Sequence, residues 1–174
     1  RNAIHFKQES GFVSINNCQF ENLSSYSICI YDSIKASINK CNFSIFKGGI
    51  EIKDKSRAAN IDLHPELVLN ECIFKSLQFE GNGGSLYIYS RFIISISKCQ
   101  FIENEADENG GAIYVQEMIS GEINIENCTF DHNVAKINSA IYIKEVSNSD
   151  IDISKCFFIN NDENKNIIYS NGYN

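Results

Sequence analysis

Six times along this chain an aliphatic residue stands three places before a cysteine and a phenylalanine two places after it. The copies are Ile15-Asn-Asn-Cys18-Gln-Phe20, Ile38-Asn-Lys-Cys41-Asn-Phe43, Leu69-Asn-Glu-Cys72-Ile-Phe74, Ile96-Ser-Lys-Cys99-Gln-Phe101, Ile125-Glu-Asn-Cys128-Thr-Phe130 and Ile153-Ser-Lys-Cys156-Phe-Phe158. Successive cysteines lie 23, 31, 27, 29 and 28 residues apart, a period that marks a repeat architecture in which each unit buries its apolar face against the next. Cysteine and phenylalanine, two apart, share one face of a strand; the aliphatic residue, three before the cysteine, cannot share it in a straight chain. A corner therefore falls on the two intervening residues, whose polar types include Asn, the residue most tolerant of positive φ.

Two further patterns complete the unit. Ser27-Ile-Cys-Ile30, Gly49-Ile-Glu-Ile52, Ser85-Leu-Tyr-Ile88, Ala112-Ile-Tyr-Val115, Ala140-Ile-Tyr-Ile143 and the incomplete Ile167-Ile-Tyr169 begin with a small residue or its replacement and then alternate as strands do. Aliphatic pairs such as Ile94 with Ile96 and Ile123 with Ile125 precede each cysteine motif. Three short strands and three corners per unit predict an all-β parallel β-helix, or β-solenoid, of about six coils, about 29 Å long at the usual strand spacing. The glycine pairs Gly48-Gly49, Gly83-Gly84 and Gly110-Gly111 mark the entry to the second-pattern strand. The stretch from Lys53 to Glu66, which holds the one proline, Pro65, predicts a protruding corner.

Composition suits this reading: 28 Ile and 22 Asn against one Pro and no Trp favour strands joined by tight corners. A net charge of −7 argues against nucleic acid as a partner. No apolar run is long enough for a membrane-spanning helix. The chain starts at Arg1 and stops at Asn174 in mid-pattern, and reads as a single segment, 1–174, of a larger protein, with protein partners at both ends and along the rod.

Gly110-Gly111-Ala112-Ile113, preceded by Phe101-Ile-Glu-Asn104, resembles the paired GGA(I/L) and FxxN signatures of the polymorphic outer membrane protein repeats of chlamydial autotransporters. Phe130-Asp-His-Asn133 and Phe158-Ile-Asn-Asn161 repeat the FxxN half, and Gly83-Gly84-Ser85-Leu86 nearly matches the other. The first two coils depart from it, with Leu23 and Phe46 in the Asn position. The resemblance implies a right-handed parallel β-helix in a secreted or surface-displayed protein used in adhesion. Localisation is accordingly expected to be extracellular or at the cell surface, with function argued from sites and not from the fold.

The six motif cysteines are expected to form an inward ladder of reduced thiols, because in-register side chains point the same way, and bridges or metal are the alternatives. With no CxxC pair and isolated histidines, neither a zinc site nor a cofactor is expected. Cys29 sits on the predicted outer face, where an exposed thiol could react or be covered by something outside this sequence. On that face Tyr87, Tyr114, Tyr142 and Tyr169 should stack in one column, either as good strand residues or as a strip that binds carbohydrate or a partner. The acidic corner of Glu103, Glu105, Asp107 and Glu108 reads as a solvated loop, lacking the spacing of calcium-binding repeats. Asn22 and Asn42 open sequons and are candidate glycosylation sites; Asn127 opens a third but is placed at a tight corner.

Catalysis on an acidic polysaccharide would need clustered carboxylates, or a basic residue with calcium, on the outer face of one sheet, and the outer positions Glu51, Tyr89, Gln116 and Lys144 offer no repeated pair of carboxylates. Asp131 and His132, as strand neighbours, should face opposite ways. The expectation is a non-enzymatic structural or adhesive segment, with a carbohydrate-binding module as the alternative and a polysaccharide-degrading enzyme behind it.

Overall fold

The alternating aliphatic residues build three parallel sheets that wrap around one core. The computed structural model describes residues 4–7, 11–31, 34–53, 66–89, 92–117, 121–138, 140–162 and 167–172; the corner expected around Pro65 lies outside them. Among the described residues, the first sheet stacks seven strands in chain order: Ile4–Lys7, Ile28–Tyr31, Ile50–Lys53, Leu86–Tyr89, Ile113–Gln116, Ile141–Val146 and Ile168–Gly172. The second stacks six, from Gly11–Asn16 to Asp150–Ser154, and the third carries the Cys-x-Phe strands from Gln19–Glu21 to Phe157–Ile159. Among the described residues each strand pairs in parallel with its counterpart in the neighbouring coils, the end strands of each sheet on one side only, which makes the chain a parallel β-solenoid. Among the described residues no helix is long and apolar enough to cross a membrane.

The interior is a set of columns. Phe20, Phe43, Phe74, Phe101, Phe130 and Phe158 stack with ring centroids 4.7–4.9 Å apart and planes within 5° of parallel. Cys41, Cys72, Cys99 and Cys128 are buried beside them, and all seven cysteines are free thiols. Each motif thiol points at the carbonyl two residues earlier, as in Cys99 Sγ to Ser97 O at 3.3 Å and Cys128 Sγ to Glu126 O at 3.3 Å. A second carbonyl, from the coil before, lies within 3.4–3.7 Å of Cys41, Cys72, Cys128 and Cys156. That explains why cysteine and not alanine or valine occupies the place: a small apolar side chain with a weak donor fits a corner where carbonyls turn inward.

The corner before each cysteine is where the spacing put it. Its second residue, Asn17, Lys40, Glu71, Lys98, Asn127 or Lys155, has φ between 52° and 55°. Lysine and glutamate accept this left-handed geometry because their amides are tied to the next coil, as in Lys40 N to Asn70 O at 2.9 Å and Lys98 N to Glu126 O at 3.1 Å. A second left-handed corner follows each phenylalanine, at Asn22, Ile45, Ser76, Glu103, His132 and Asn160, with φ of 49–55°. Ile45 carries a branched Cβ into this region while 65% exposed, so the strain is not offset by burial. Ile45→Asn is expected to raise stability by about 1 kcal/mol, seen as a higher guanidinium midpoint with an unchanged slope; a lowered midpoint would contradict it.

Beyond that corner the FxxN asparagines turn inward. Asn104, Asn133 and Asn161 are buried, and each side-chain amide donates to a phenylalanine carbonyl: Phe74 at 3.0 Å, Phe101 at 2.9 Å and Phe130 at 2.8 Å. Asn104 also donates to Asn133 Oδ1 at 2.9 Å and Asn133 to Asn161 Oδ1 at 3.1 Å. The free oxygen at the head of this ladder accepts the Leu77 amide at 3.2 Å, where the run of amides meets the apolar residues of earlier coils. The glycine pairs serve the next bend: Gly48, Gly83 and Gly110 have φ of 77°, 74° and 64°, and Gly49 and Gly84 pack directly on neighbouring backbone.

Candidate functional site: the outer face of the first sheet

Strand register aligns one outward column along the rod: His5, Cys29, Glu51, Tyr87, Tyr114, Tyr142 and Tyr169. The four tyrosines stack as the alternation indicates, with centroids 5.4, 5.4 and 5.0 Å apart and planes within 16° of parallel. Stacking has a chemical consequence. The ring faces are covered by one another, so the column shows ring edges and hydroxyls to solvent; Tyr114 is only 4% exposed, and the other three are half-buried. Gln116 Oε1 accepts from the Tyr114 hydroxyl at 3.2 Å and lies 3.4 Å from that of Tyr87.

The stack stops at Tyr87, whose other face is taken by the Lys53 ammonium 5.1 Å from the ring centroid, a favourable use of the ring quadrupole. Lys53 also pairs with Glu51 at 2.6 Å. The Glu51 carboxylate, 8% exposed, accepts the Tyr31 hydroxyl at 2.7 Å and the Cys29 thiol at 3.6 Å. Burial of a carboxylate is costly unless its charge is paired and its oxygens are hydrogen-bonded, and here both conditions are met. Tyr31 is in turn packed edge-on against His5, with centroids 4.9 Å apart.

Cys29 is a correction: the outward strand position predicted an exposed thiol, and the thiol is buried. Tyr26, which has no counterpart in the repeat pattern, is buried among the same group, tilted at 37° against Phe79 with ring centroids 4.6 Å apart and packed on Gly48. Burial, followed by the nearby Glu51 charge, pushes the Cys29 thiol up to about 12, so it is a poor nucleophile at neutral pH. Burial likewise raises the Tyr26 and Tyr31 phenols, with Glu51 adding to both. Composition alone could have flagged Tyr26 as a large aromatic off the repeat, but not its position over this face.

The remaining candidates are separate from this cluster. Asn22 and Asn127 are both exposed at left-handed corners, with φ of 54° and 55°, while Asn42 is half-buried in a strand and its amide oxygen is buried without a partner. Asp131 and His132 do not diverge: the left-handed corner at His132 breaks the alternation and brings the ring nitrogen to 2.7 Å from the carboxylate. In the acidic corner each of three carboxylates accepts from a side chain of the coil before, Ser76 to Glu103 at 3.0 Å, Gln78 to Glu105 at 3.1 Å and Asn82 to Glu108 at 2.6 Å. Among the described residues no group of three His, Cys, Asp or Glu side chains could hold a metal ion.

One family matches, described as right handed beta helix region, over residues 2–174. Neither the curated proteins nor the solved structures contain a match. Parallel coils wound on three sheets, matched over nearly the whole length, place the chain in the right-handed β-helix family.

Proposed function

We propose that this chain is a stiff, non-enzymatic segment of a larger extracellular or cell-surface protein, akin to the polymorphic outer membrane protein repeats, and that it serves adhesion or surface assembly by displaying its corners. The observation that carries this reading is the self-satisfaction of the outer face of the first sheet: Glu51 is neutralised by Lys53 and capped by Tyr31 and Cys29, and the tyrosine rings cover each other. Glycoside cleavage draws on two carboxyl groups flanking a bond, and among the described residues Glu51 has no acidic partner in its cluster. Binding of sugar through the tyrosine column is the weaker reading, since a sugar would meet ring edges and not the faces that stack on it.

The test is a parallel assay. Beads coated with the chain are scored for retention on extracellular matrix and on cell surfaces under flow, and acidic polysaccharides are incubated with the free chain and followed for new reducing or unsaturated ends. Retention without product is the expected result. Product release, or retention abolished by Tyr142→Ala with the fold intact, would replace this reading with the enzymatic or the carbohydrate-binding one.

A further inference from the structure

We propose that the tyrosine column is an oxidative cross-linking site, and that a one-electron oxidant, of the kind a peroxidase makes from hydrogen peroxide, joins Tyr142 to Tyr169 as dityrosine within one chain. In the balanced reaction each phenol gives up one electron and one proton. The two phenoxyl radicals then form a carbon–carbon bond between ring positions ortho to the hydroxyls and regain aromaticity by shifting their ring hydrogens to oxygen. One hydrogen peroxide takes up the two electrons and two protons and becomes two waters.

Geometry selects the pair. The four rings form an unbroken π-stack with steps of 5.4, 5.4 and 5.0 Å, close enough for an electron vacancy made on one ring to pass to the next. The column is not symmetric. At one end the Lys53 ammonium, paired with Glu51, sits over the outer face of the Tyr87 ring. A vacancy can reach every ring of the stack, so the pair that couples is set by which rings have room to tilt. Tyr114, 4% exposed and stacked on both faces, is held too tightly to tilt into a coupling geometry. Tyr142 and Tyr169 make the shortest step of the column and are both half-buried. The inference does not depend on the adhesive role; a covalent rung between coils would follow for any function of the rod.

The whole chain is treated with a peroxidase and hydrogen peroxide in the presence of free tyrosine, which reports that the oxidant is active. Blue dityrosine fluorescence is expected on a species that still migrates as a monomer. Tandem mass spectrometry of its tryptic digest should show the peptide ending at Lys144 joined to the peptide carrying Tyr169, two hydrogen atoms lighter than their sum. Tyr142→Phe and Tyr169→Phe, which keep the ring, should each abolish this product, and Tyr87→Phe should leave it. A cross-link dominated by Tyr87 and Tyr114, one formed only between chains, or none in a tube where the free tyrosine is consumed would each overturn the proposal.

Discussion

Asn133→Ala is expected to cost about 4 kcal/mol, because several buried groups lose partners at once and each costs about 1–3 kcal/mol when left unsatisfied. The Asn133 side chain donates to Phe101 O at 2.9 Å and to Asn161 Oδ1 at 3.1 Å, and its oxygen accepts from the Asn104 backbone amide at 3.2 Å and from the Asn104 side chain at 2.9 Å. Alanine supplies none of these, and the site is wholly enclosed. The bonds form one chain, so their losses reinforce one another. Denaturant unfolding monitored by circular dichroism measures the effect. A loss below about 1 kcal/mol would mean that water enters and replaces the amide.

Gly84→Ala should be comparably damaging, by about 3 kcal/mol, for a reason that is steric. A Cβ at Gly84 would lie 2.1 Å from the Gly111 carbonyl oxygen and 2.7 Å from that of Glu105. Both obstacles are backbone, fixed by the strands they lead into, so no rotamer change relieves the contact and the coils must part locally. Gly81→Ala is strained for a different reason: its nearest neighbours are atoms of the Phe79 side chain at 3.0 Å, which can swing aside, but its φ of 156° is one that L side chains rarely adopt. Thermal unfolding measures the effect at Gly84; a midpoint equal to that of the unsubstituted chain would show that the bend there yields.

The sequence was informative where a side chain reported its own geometry. Spacing alone located the corner before each cysteine, because a three-residue offset cannot be straight, and it placed Tyr87, Tyr114, Tyr142 and Tyr169 in one column, because alternation and period leave no other register. The second corner could not be read. Asn22, Ile45, Ser76, Glu103, His132 and Asn160 have no chemistry in common; the conformation is imposed by backbone bonds to the next coil, such as Glu103 N to Asp131 O at 2.8 Å. The same blindness affected Cys29 and the pair of Asp131 with His132. Period-two alternation says which way a strand residue points, but it is silent on a loop residue such as Tyr26 that folds over it, and it fails where a left-handed residue interrupts the strand. The FxxN asparagines were visible as a signature, yet their inward turn and their hold on the phenylalanine carbonyls belong to the coil stack.

The place where Asn104 reaches back to the Leu77 amide divides the rod into two kinds of coil. On one side the position after the second corner is Leu23, Phe46 or Leu77; on the other it is Asn104, Asn133 or Asn161. A gene that lengthens by duplicating one repeat can copy a coil within either group and find a matching neighbour waiting. Copying across the boundary would set a hydrocarbon against an amide on both sides. Growth by duplication is therefore permitted inside each half and penalised between them, and Leu77 marks the seam.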